Sequence, residues 1–179
     1  TIKVDGTVTI AAAQQNAIIA NDKTTLSVEG EVGAKLILSA GNQAAGIGTP
    51  ADVTIKDIAI TINAGTGIQA GTITITNSKV SVTATNGDGI AIDGDCNIQS
   101  DSEVTATASK NGIVSENGSV IMNQSKVTAN GELSDISAKT DIVINESKVS
   151  ADNLSKTPVN GEGNTIYTVA YEAGGGTGT

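Results

Sequence analysis

The sequence predicts an all-β fold: a right-handed parallel β-helix, a solenoid of about six or seven coils. Three observations predict it. A tripeptide that reads Ser-Lys-Val or Ser-Glu-Val recurs every 22 to 24 residues. A second column, mostly Gly-Ile, recurs at the same period. Between the two columns, short runs of Ile, Val and Thr alternate with polar residues and end at Asn, Gly, Asp or Ser, as short β-strands and their turns do.

The tripeptide column supplies both inward and outward positions of one strand. Its members are Ser78-Lys79-Val80, Ser102-Glu103-Val104, Ser125-Lys126-Val127 and Ser147-Lys148-Val149. Stacked coils place equivalent residues about 4.8 Å apart, so the valines are predicted to form an inward column. The serines are predicted to form a hydroxyl ladder at a strand corner, where they satisfy backbone groups of the turn. The charged residues are predicted to point outward, with Glu103 between two lysines to soften like-charge repulsion.

Two further columns complete the predicted core. An apolar residue precedes each of the four serines: Ile75, Ile98, Met122 and Ile144. The second column comprises Gly46-Ile47, Gly67-Ile68, Gly89-Ile90, Gly112-Ile113 and Asp135-Ile136. Because the chain has no Trp and no Phe, aliphatic side chains must fill the interior, which suits a narrow core repeated many times. The free energy gained by burying the apolar side chains of one coil barely offsets the conformational entropy that its backbone loses on folding. We therefore expect the stability to come from contacts between stacked coils.

The N-terminal part of the chain is less regular. Ile2–Val4 and residues 8–10 are predicted to be strands. Residues 11–19 form either a short helix or part of another coil that continues into residues 26–28, and the sequence leaves both open. An exposed solenoid end is an open sheet edge that needs a cover. We expect residues 1–165 to form a single β-helix domain.

Charge and composition argue against several classes of function. The net charge is −9, and all ten basic residues are lysines, with no Arg and no His. This deficit of positive charge argues against binding to nucleic acids and to anionic membranes. No apolar run approaches the ~18 residues that a membrane-spanning helix needs, so no membrane insertion is expected. The single cysteine, Cys96, cannot form an internal disulfide and is predicted to be a buried apolar side chain.

Two stretches of the chain resemble known families. Residues 53–75, VTIKDIAITINAGTGIQAGTITI, resemble the β-helical repeats of large bacterial surface proteins, and roughly residues 24–160 resemble a pectate-lyase-like β-helix in shape. Residues 167–179, YTVAYEAGGGTGT, are similar to the start of the Listeria–Bacteroides cell-wall repeat. The second resemblance implies that residues 166–179 are a strand or linker into a following module. Together they imply a secreted or cell-surface protein. Because the chain begins at Thr1, within the pattern and without a Met, we expect it to be a trimmed piece of a longer protein.

The resemblance to pectate-lyase-like proteins also implies an alternative function, that of a polysaccharide-cleaving enzyme. Polysaccharide lyases of this shape use a basic residue, usually Arg or Lys, as the base, with carboxylates that bind calcium, and this chain has no Arg. Glycoside hydrolases need carboxylates that face one cleft. The candidates here are Asp88, Asp93 and Asp95, with Asp101 and Glu116 farther along. The first three lie beside glycines, a context typical of turns. We therefore predict a protein that is not an enzyme, with a lyase or hydrolase as the third alternative.

The same residues define two candidate binding sites. Asp88, Asp93 and Asp95 fall near one corner of one predicted coil, and hard cations bind clustered carboxylate oxygens, so they are a candidate calcium site. Lys79, Lys126 and Lys148 share one outward column, which makes them a candidate face for acidic polysaccharides. No cofactor other than calcium is predicted.

The sequence thus favours a non-catalytic module of a secreted or cell-surface bacterial protein that acts as an adhesin or stalk segment. The alternative is a carbohydrate-binding module for acidic polysaccharides, assisted by calcium. The expected partner is accordingly a polysaccharide, or else a host or cell-surface protein.

Overall fold

The structure is a computed structural model that describes residues 1–20 and 25–162. Within these ranges the chain forms β-strands, turns and bends, and no helix occurs. None of the described residues therefore forms a helix long and apolar enough to cross a membrane. The predicted C-terminal strand or linker, residues 166–179, lies outside the described residues, so that expectation stays a prediction.

The described residues form twenty β-strands. In chain order they are β1 (Ile2–Val4), β2 (Thr7–Ala12), β3 (Ile18–Ile19), β4 (Leu26–Gly30), β5 (Lys35–Ala40), β6 (Ala45–Gly48), β7 (Val53–Lys56), β8 (Ala59–Ala64), β9 (Thr66–Ala70), β10 (Ile73–Thr76), β11 (Lys79–Ala84), β12 (Ile90–Ile92), β13 (Cys96–Gln99), β14 (Glu103–Ala108), β15 (Asn111–Ser115), β16 (Val120–Asn123), β17 (Lys126–Gly131), β18 (Ser134–Ala138), β19 (Ile142–Asn145) and β20 (Lys148–Ser150).

These strands form three parallel sheets that run the length of the solenoid. Sheet A has the order β1-β4-β7-β10-β13-β16-β19, sheet B the order β2-β5-β8-β11-β14-β17-β20, and sheet C the order β3-β6-β9-β12-β15-β18. Every third strand therefore returns to the same sheet, one coil further on. Six coils, numbered 1 to 6, contribute a strand to each sheet, and a seventh adds β19 and β20. The predicted parallel β-solenoid is confirmed, and so is its number of coils.

The registers confirm the predicted inward columns. In sheet A, Ile75 pairs with Ile98, which pairs with Met122, which pairs with Ile144. The valines of the tripeptides are in register in sheet B, and the isoleucines of the second column are in register in sheet C. A fixed period of one coil is what places like residues above one another, so the repeat in the sequence sets the register directly.

One continuous apolar core lies between the three sheets. It consists almost wholly of Ile, Val, Leu and Ala, with Met122 and Cys96 as the sulfur-containing members. Most of these side chains are completely inaccessible to solvent. Full burial of one such aliphatic side chain stabilises the folded state by about 1.5–3 kcal/mol, so a coil depends on the coils above and below it to cover its layer.

Glycine recurs at the start of the strands of sheet C because the backbone there touches the core. A Cβ atom at Gly67 would overlap Cγ1 of Val82 and the carbonyl oxygen of Gly89. At Gly46 it would overlap Cγ2 of Ile62. The chain at this position passes too close to sheet B and to the next coil for any side chain, which explains the Gly-Ile pattern.

The N-terminal residues form a coil and no helix. In sheet B, β2 pairs with β5 along its full length, from Thr7 with Lys35 to Ala12 with Ala40. In sheet C, β3 pairs with β6 through Ile18 and Ile47. Of the two possibilities that the sequence left open for residues 11–19, the second is correct.

Candidate functional site

The turn between sheet A and sheet B, here called the AB corner, is the most regular polar feature of the solenoid. In coils 3 to 7 this turn holds non-glycine residues at positive φ: Asp57, Asn77, Ser100, Asp101, Gln124 and Glu146. Short polar side chains tolerate this left-handed conformation best. Some neighbours in the column also bond to one another. Asn77 Nδ2 donates to Asp57 Oδ1 at 2.7 Å, and Gln124 Nε2 donates to Glu146 Oε2 at 2.8 Å.

The serines of the AB corner satisfy backbone amides of the preceding coil. The hydroxyl of Ser78 accepts a hydrogen bond from the N–H of Ile58 at 3.2 Å. The hydroxyl of Ser102 accepts one from the N–H of Ser78 at 3.4 Å, and the hydroxyl of Ser147 accepts one from the N–H of Ser125 at 3.0 Å. The hydroxyls of Ser78, Ser102 and Ser147 also donate to backbone carbonyl groups, so their role is structural, as predicted. The ladder is interrupted at Ser125, whose Oγ lies 3.2 Å from Ser147 Oγ instead.

The charged column lies beside the serines on the outer surface, as predicted. Glu103 sits between two lysines and binds both, with 2.6 Å to Lys126 Nζ and 2.9 Å to Lys79 Nζ. These hydrogen bonds, first from Lys126 and then from Lys79, lower the pKa of Glu103 from 4.5 to about 2. Lys148 follows Lys126 in register but makes no ion pair with any described residue. The three lysines of the predicted acidic-glycan face are therefore unequal, since Glu103 neutralises two of them.

A surface groove of about 650 Å³ opens where the AB corner meets the charged column on coils 5 to 7. Its charged and amide-bearing lining residues are Asp101, Glu103, Gln124, Lys126, Glu146 and Lys148. The groove thus holds two ammonium groups and three carboxylates. It contains two of the three lysines that the sequence singled out, while Lys79 lies outside its lining.

The three aspartates of the predicted calcium site lie at two corners and not at one. Asp88 precedes β12, whereas Asp93 and Asp95 follow it, so the strand separates them. Each carboxylate accepts hydrogen bonds from the next coil: Asp88 from Asn111, Asp93 from Asn117 and Asp95 from the N–H of Ser119. Among residues 1–20 and 25–162, no three His, Cys, Asp or Glu side chains are grouped so that they could hold a metal ion. Calcium binding here stays a prediction.

Two features of the structure were not predicted from the sequence. Coil 5 carries one more residue at the AB corner than coils 4 and 6, because four positions separate Ile98 from Ser102 and three separate Ile75 from Ser78. Asp101 is part of that insertion and forms one wall of the groove. The second feature is buried Asp135, whose place in the glycine column was visible but whose role was not.

Cys96 behaves as the sequence predicted. Its thiol is completely buried, and burial, aided by the negative charge of Asp95, raises its pKa to about 12. A thiol that stays protonated is a poor nucleophile, so Cys96 contributes packing and no chemistry.

No protein-family model, curated protein or solved structure gives a significant match to the chain.

Proposed function

We propose that this chain is a non-catalytic segment of a secreted or cell-surface protein, where it acts as a spacer or adhesin segment. One observation carries the proposal: three parallel sheets and one apolar core continue without interruption through every described coil. Such a stack fixes the distance between its two ends. Six coil spacings at about 4.8 Å give about 29 Å from the first coil to the seventh.

The chemistry of the carboxyl groups supports a non-catalytic role. A general acid for glycoside cleavage needs a raised pKa so that it holds a proton near neutral pH. Two carboxyl groups of the described residues have pKa values that are shifted the other way. That of Glu103 is lowered to about 2 by two lysines, and that of Asp135 is lowered because three backbone amides outweigh the effect of burial.

The polar residues on the outer face of sheet B are consistent with a spacer that stays soluble between other modules. Its central column is Thr9, Ile37, Thr61, Ser81, Thr105, Thr128 and Ser150. Of the described residues, the large apolar ones that are well exposed are Val8, Ile19, Val32 and Leu133. They are distributed over coils 1, 2 and 6 and do not form one column. This distribution favours the spacer over the adhesin, since docking surfaces are usually contiguous apolar patches.

A distance measurement tests the spacer role. Thr9 and Ser150 are both exposed and occupy the same column, six registers apart. Spin labels on a Thr9→Cys, Ser150→Cys variant that also carries Cys96→Ala should give a single narrow distance distribution near about 29 Å plus the label linkers. A broad distribution would contradict a rigid spacer. Release of sugar fragments from any polysaccharide by the wild-type chain would contradict the non-catalytic assignment.

A second candidate function is the binding of acidic polysaccharides, which the groove with Lys126 and Lys148 favours. Native affinity electrophoresis against neutral and acidic polysaccharides, with calcium and then with chelator, tests it. Retardation by acidic polysaccharides alone supports the proposal. If chelation abolishes the retardation, calcium takes part and the turn of Asp93 and Asp95 is the first place to look. Migration that no polysaccharide alters would refute sugar binding by this segment.

A further inference from the structure

We propose that the groove on coils 5 to 7 binds a uronic acid residue of a polysaccharide. The sugar carboxylate would lie against the ammonium groups of Lys126 and Lys148, and the sugar hydroxyls would donate to Asp101 and Glu146. The inference rests on the second candidate function above and specifies its site and its ligand.

The backbone forms the groove through the insertion in coil 5. Ser100 and Asp101 both have positive φ, at 54° and 60°, whereas coil 6 has the single residue Gln124 at 47° in the same turn. Two non-glycine residues in succession rarely adopt this conformation, which strains the backbone. The corner of coil 5 therefore does not stack one-to-one on that of coil 6. The groove lies at this mismatch, with Asp101 on its coil 5 side.

The charges of the groove leave one cation without a partner. Lys126 and Lys148 are directly in register, so like charges lie about one coil spacing apart, an arrangement that destabilises a sheet. Glu103 compensates Lys126 from the coil 5 side. On the coil 7 side, no described carboxylate lies within ion-pair distance of Lys148. A ligand carboxylate between the two lysines would complete an alternating row of positive and negative charges.

The carboxylates of Asp101 and Glu146 can accept hydrogen bonds from the hydroxyl groups of a ligand. The side chain of Asp101 makes no hydrogen bond to any described residue, and Glu146 is held in place by the bond from Gln124 Nε2 at 2.8 Å. Ionised carboxylates can only accept hydrogen bonds. A ligand that matches the groove must therefore offer one carboxylate together with several hydroxyl groups, which is the composition of a uronic acid. A neutral sugar leaves Lys148 unpaired, and an acidic peptide offers no set of hydroxyl groups to Asp101 and Glu146.

Calorimetric titration with a short oligogalacturonate tests the inference. Lys148→Gln removes the unpaired charge and keeps the length of the side chain. Lys35→Gln is the matched control, since Lys35 is exposed and begins β5 in the same outward column, far from the groove. We expect Lys148→Gln to weaken binding by about tenfold or more, because a charge-assisted hydrogen bond is lost, while Lys35→Gln binds as the wild type does. Circular dichroism confirms that both variants are folded.

Several outcomes would overturn the inference, and they differ in what they leave standing. If oligogalacturonate binds equally well to wild type and to Lys148→Gln, sugar binding stands but the groove is not its site. If Lys35→Gln weakens binding as much as Lys148→Gln does, the loss of affinity comes from the change in the net charge of the protein and not from the groove. Equal affinity for a neutral oligosaccharide would show that the sugar carboxylate does not contribute to binding. Tighter binding of a polyglutamate peptide would show that the groove binds acidic peptides instead. No binding of oligogalacturonate to the wild type refutes the groove and the second candidate function together.

Discussion

Asp135 occupies in coil 6 the position that glycine occupies in coils 2 to 5. β18 is the last strand of sheet C, and the segment after β20 continues over it, where Leu154 bridges to Ile136 in parallel. The carboxylate turns to the backbone and accepts three bonds, from the N–H groups of Gly131 at 2.9 Å, Asp152 at 2.6 Å and Asn153 at 2.9 Å. The amides of Asp152 and Asn153 belong to the segment that follows β20 and covers β18. One side chain thus ties this covering segment to the end of sheet C.

Asp135→Asn should destabilise the fold by about 1.5–3 kcal/mol at neutral pH, because an amide is a weaker acceptor than a carboxylate. Burial raises the pKa of Asp135 and the three amides lower it, and the net direction is downward from 3.8. Its contribution is therefore present above pH 3.8 and is lost as the pH falls through the folded-state pKa. Denaturant unfolding at pH 7 and below pH 3 measures both effects. Asp141→Asn, at an exposed site, should change little, and an equal loss there would contradict the role of Asp135.

The Cys96 thiol should report unfolding. With its pKa raised to about 12 by burial and by the charge of Asp95, it should not react with a disulfide reagent at pH 8 in the native protein. The reaction should follow the opening of the fold and speed up with denaturant. A Thr107→Cys variant places a second thiol on the exposed face of sheet B, where it should react at once. Equal rates for the two thiols would show that Cys96 is accessible.

At the scale of the single strand, the glycine column sets how closely sheet C approaches the rest of the coil. Gly67→Ala places a methyl group against Val82 and against the backbone of Gly89. We expect a loss of about 1–3 kcal/mol in the free energy of unfolding, as for other overpacked cores. Gly161→Ala is the control, because its nearest neighbour is an atom of Asn145 at 3.6 Å, an ordinary contact. Thermal unfolding of both variants measures the difference, and equal melting temperatures would show that sheet C can move outward.

The strands of the regular coils could be predicted from the sequence because their period is constant. Ser78, Ser102, Ser125 and Ser147 mark one corner at nearly equal intervals, and residues at equal intervals stack. The same signal is weaker nearer the N-terminus. Ala34 and Ile58 are buried just before β5 and β8, where later coils have serine, so the repeat has a different sequence there.

Features that occur once could not be predicted in the same way. The pairing of β3 with β6 depends on contacts between distant residues and leaves no local period. The termination of the glycine column by Asp135 occurs at one end of the stack only. Asp88 and Asp95 are close in sequence, but a strand as short as β12 is enough to carry them to different corners. The groove depends on the extra residue at Asp101. This residue is visible when the repeats are aligned, but its effect on the stacking of the coils can be seen only in the three-dimensional structure.

At the scale of the whole molecule, the solenoid is a one-dimensional stack in which each coil contacts its neighbours. Ile73 and Cys96 are partners in register, so removal of residues 73–95 deletes one complete coil and lets Cys96 follow Thr72 as Ile73 did. The sequence would then pair β7 with β13 and β8 with β14 in unchanged register. We expect this variant to fold, with β-type circular dichroism and cooperative unfolding.

The spin-label distance between positions 9 and 150 should shorten by about 4.8 Å in the deletion variant. Removal of residues 73–84 is the control, because it takes out β10 and β11 but leaves β12, so that the next strand arrives at the wrong sheet. That shorter deletion should not fold. If it folds as well as the whole-coil deletion, or if the whole-coil deletion does not fold, the coils are not interchangeable units.

The direction of the hydrogen bonds gives the solenoid a mechanical property. In all three sheets the bonds run from coil to coil, along the axis, so a pulling force on the two ends loads the ladders one after another. The terminal coil has the fewest neighbours and should peel first. Each released coil of 22 to 24 residues extends to about 80 Å, against about 4.8 Å when stacked. A segment that holds a fixed distance at rest would therefore lengthen stepwise under tension, coil by coil, and dissipate the load.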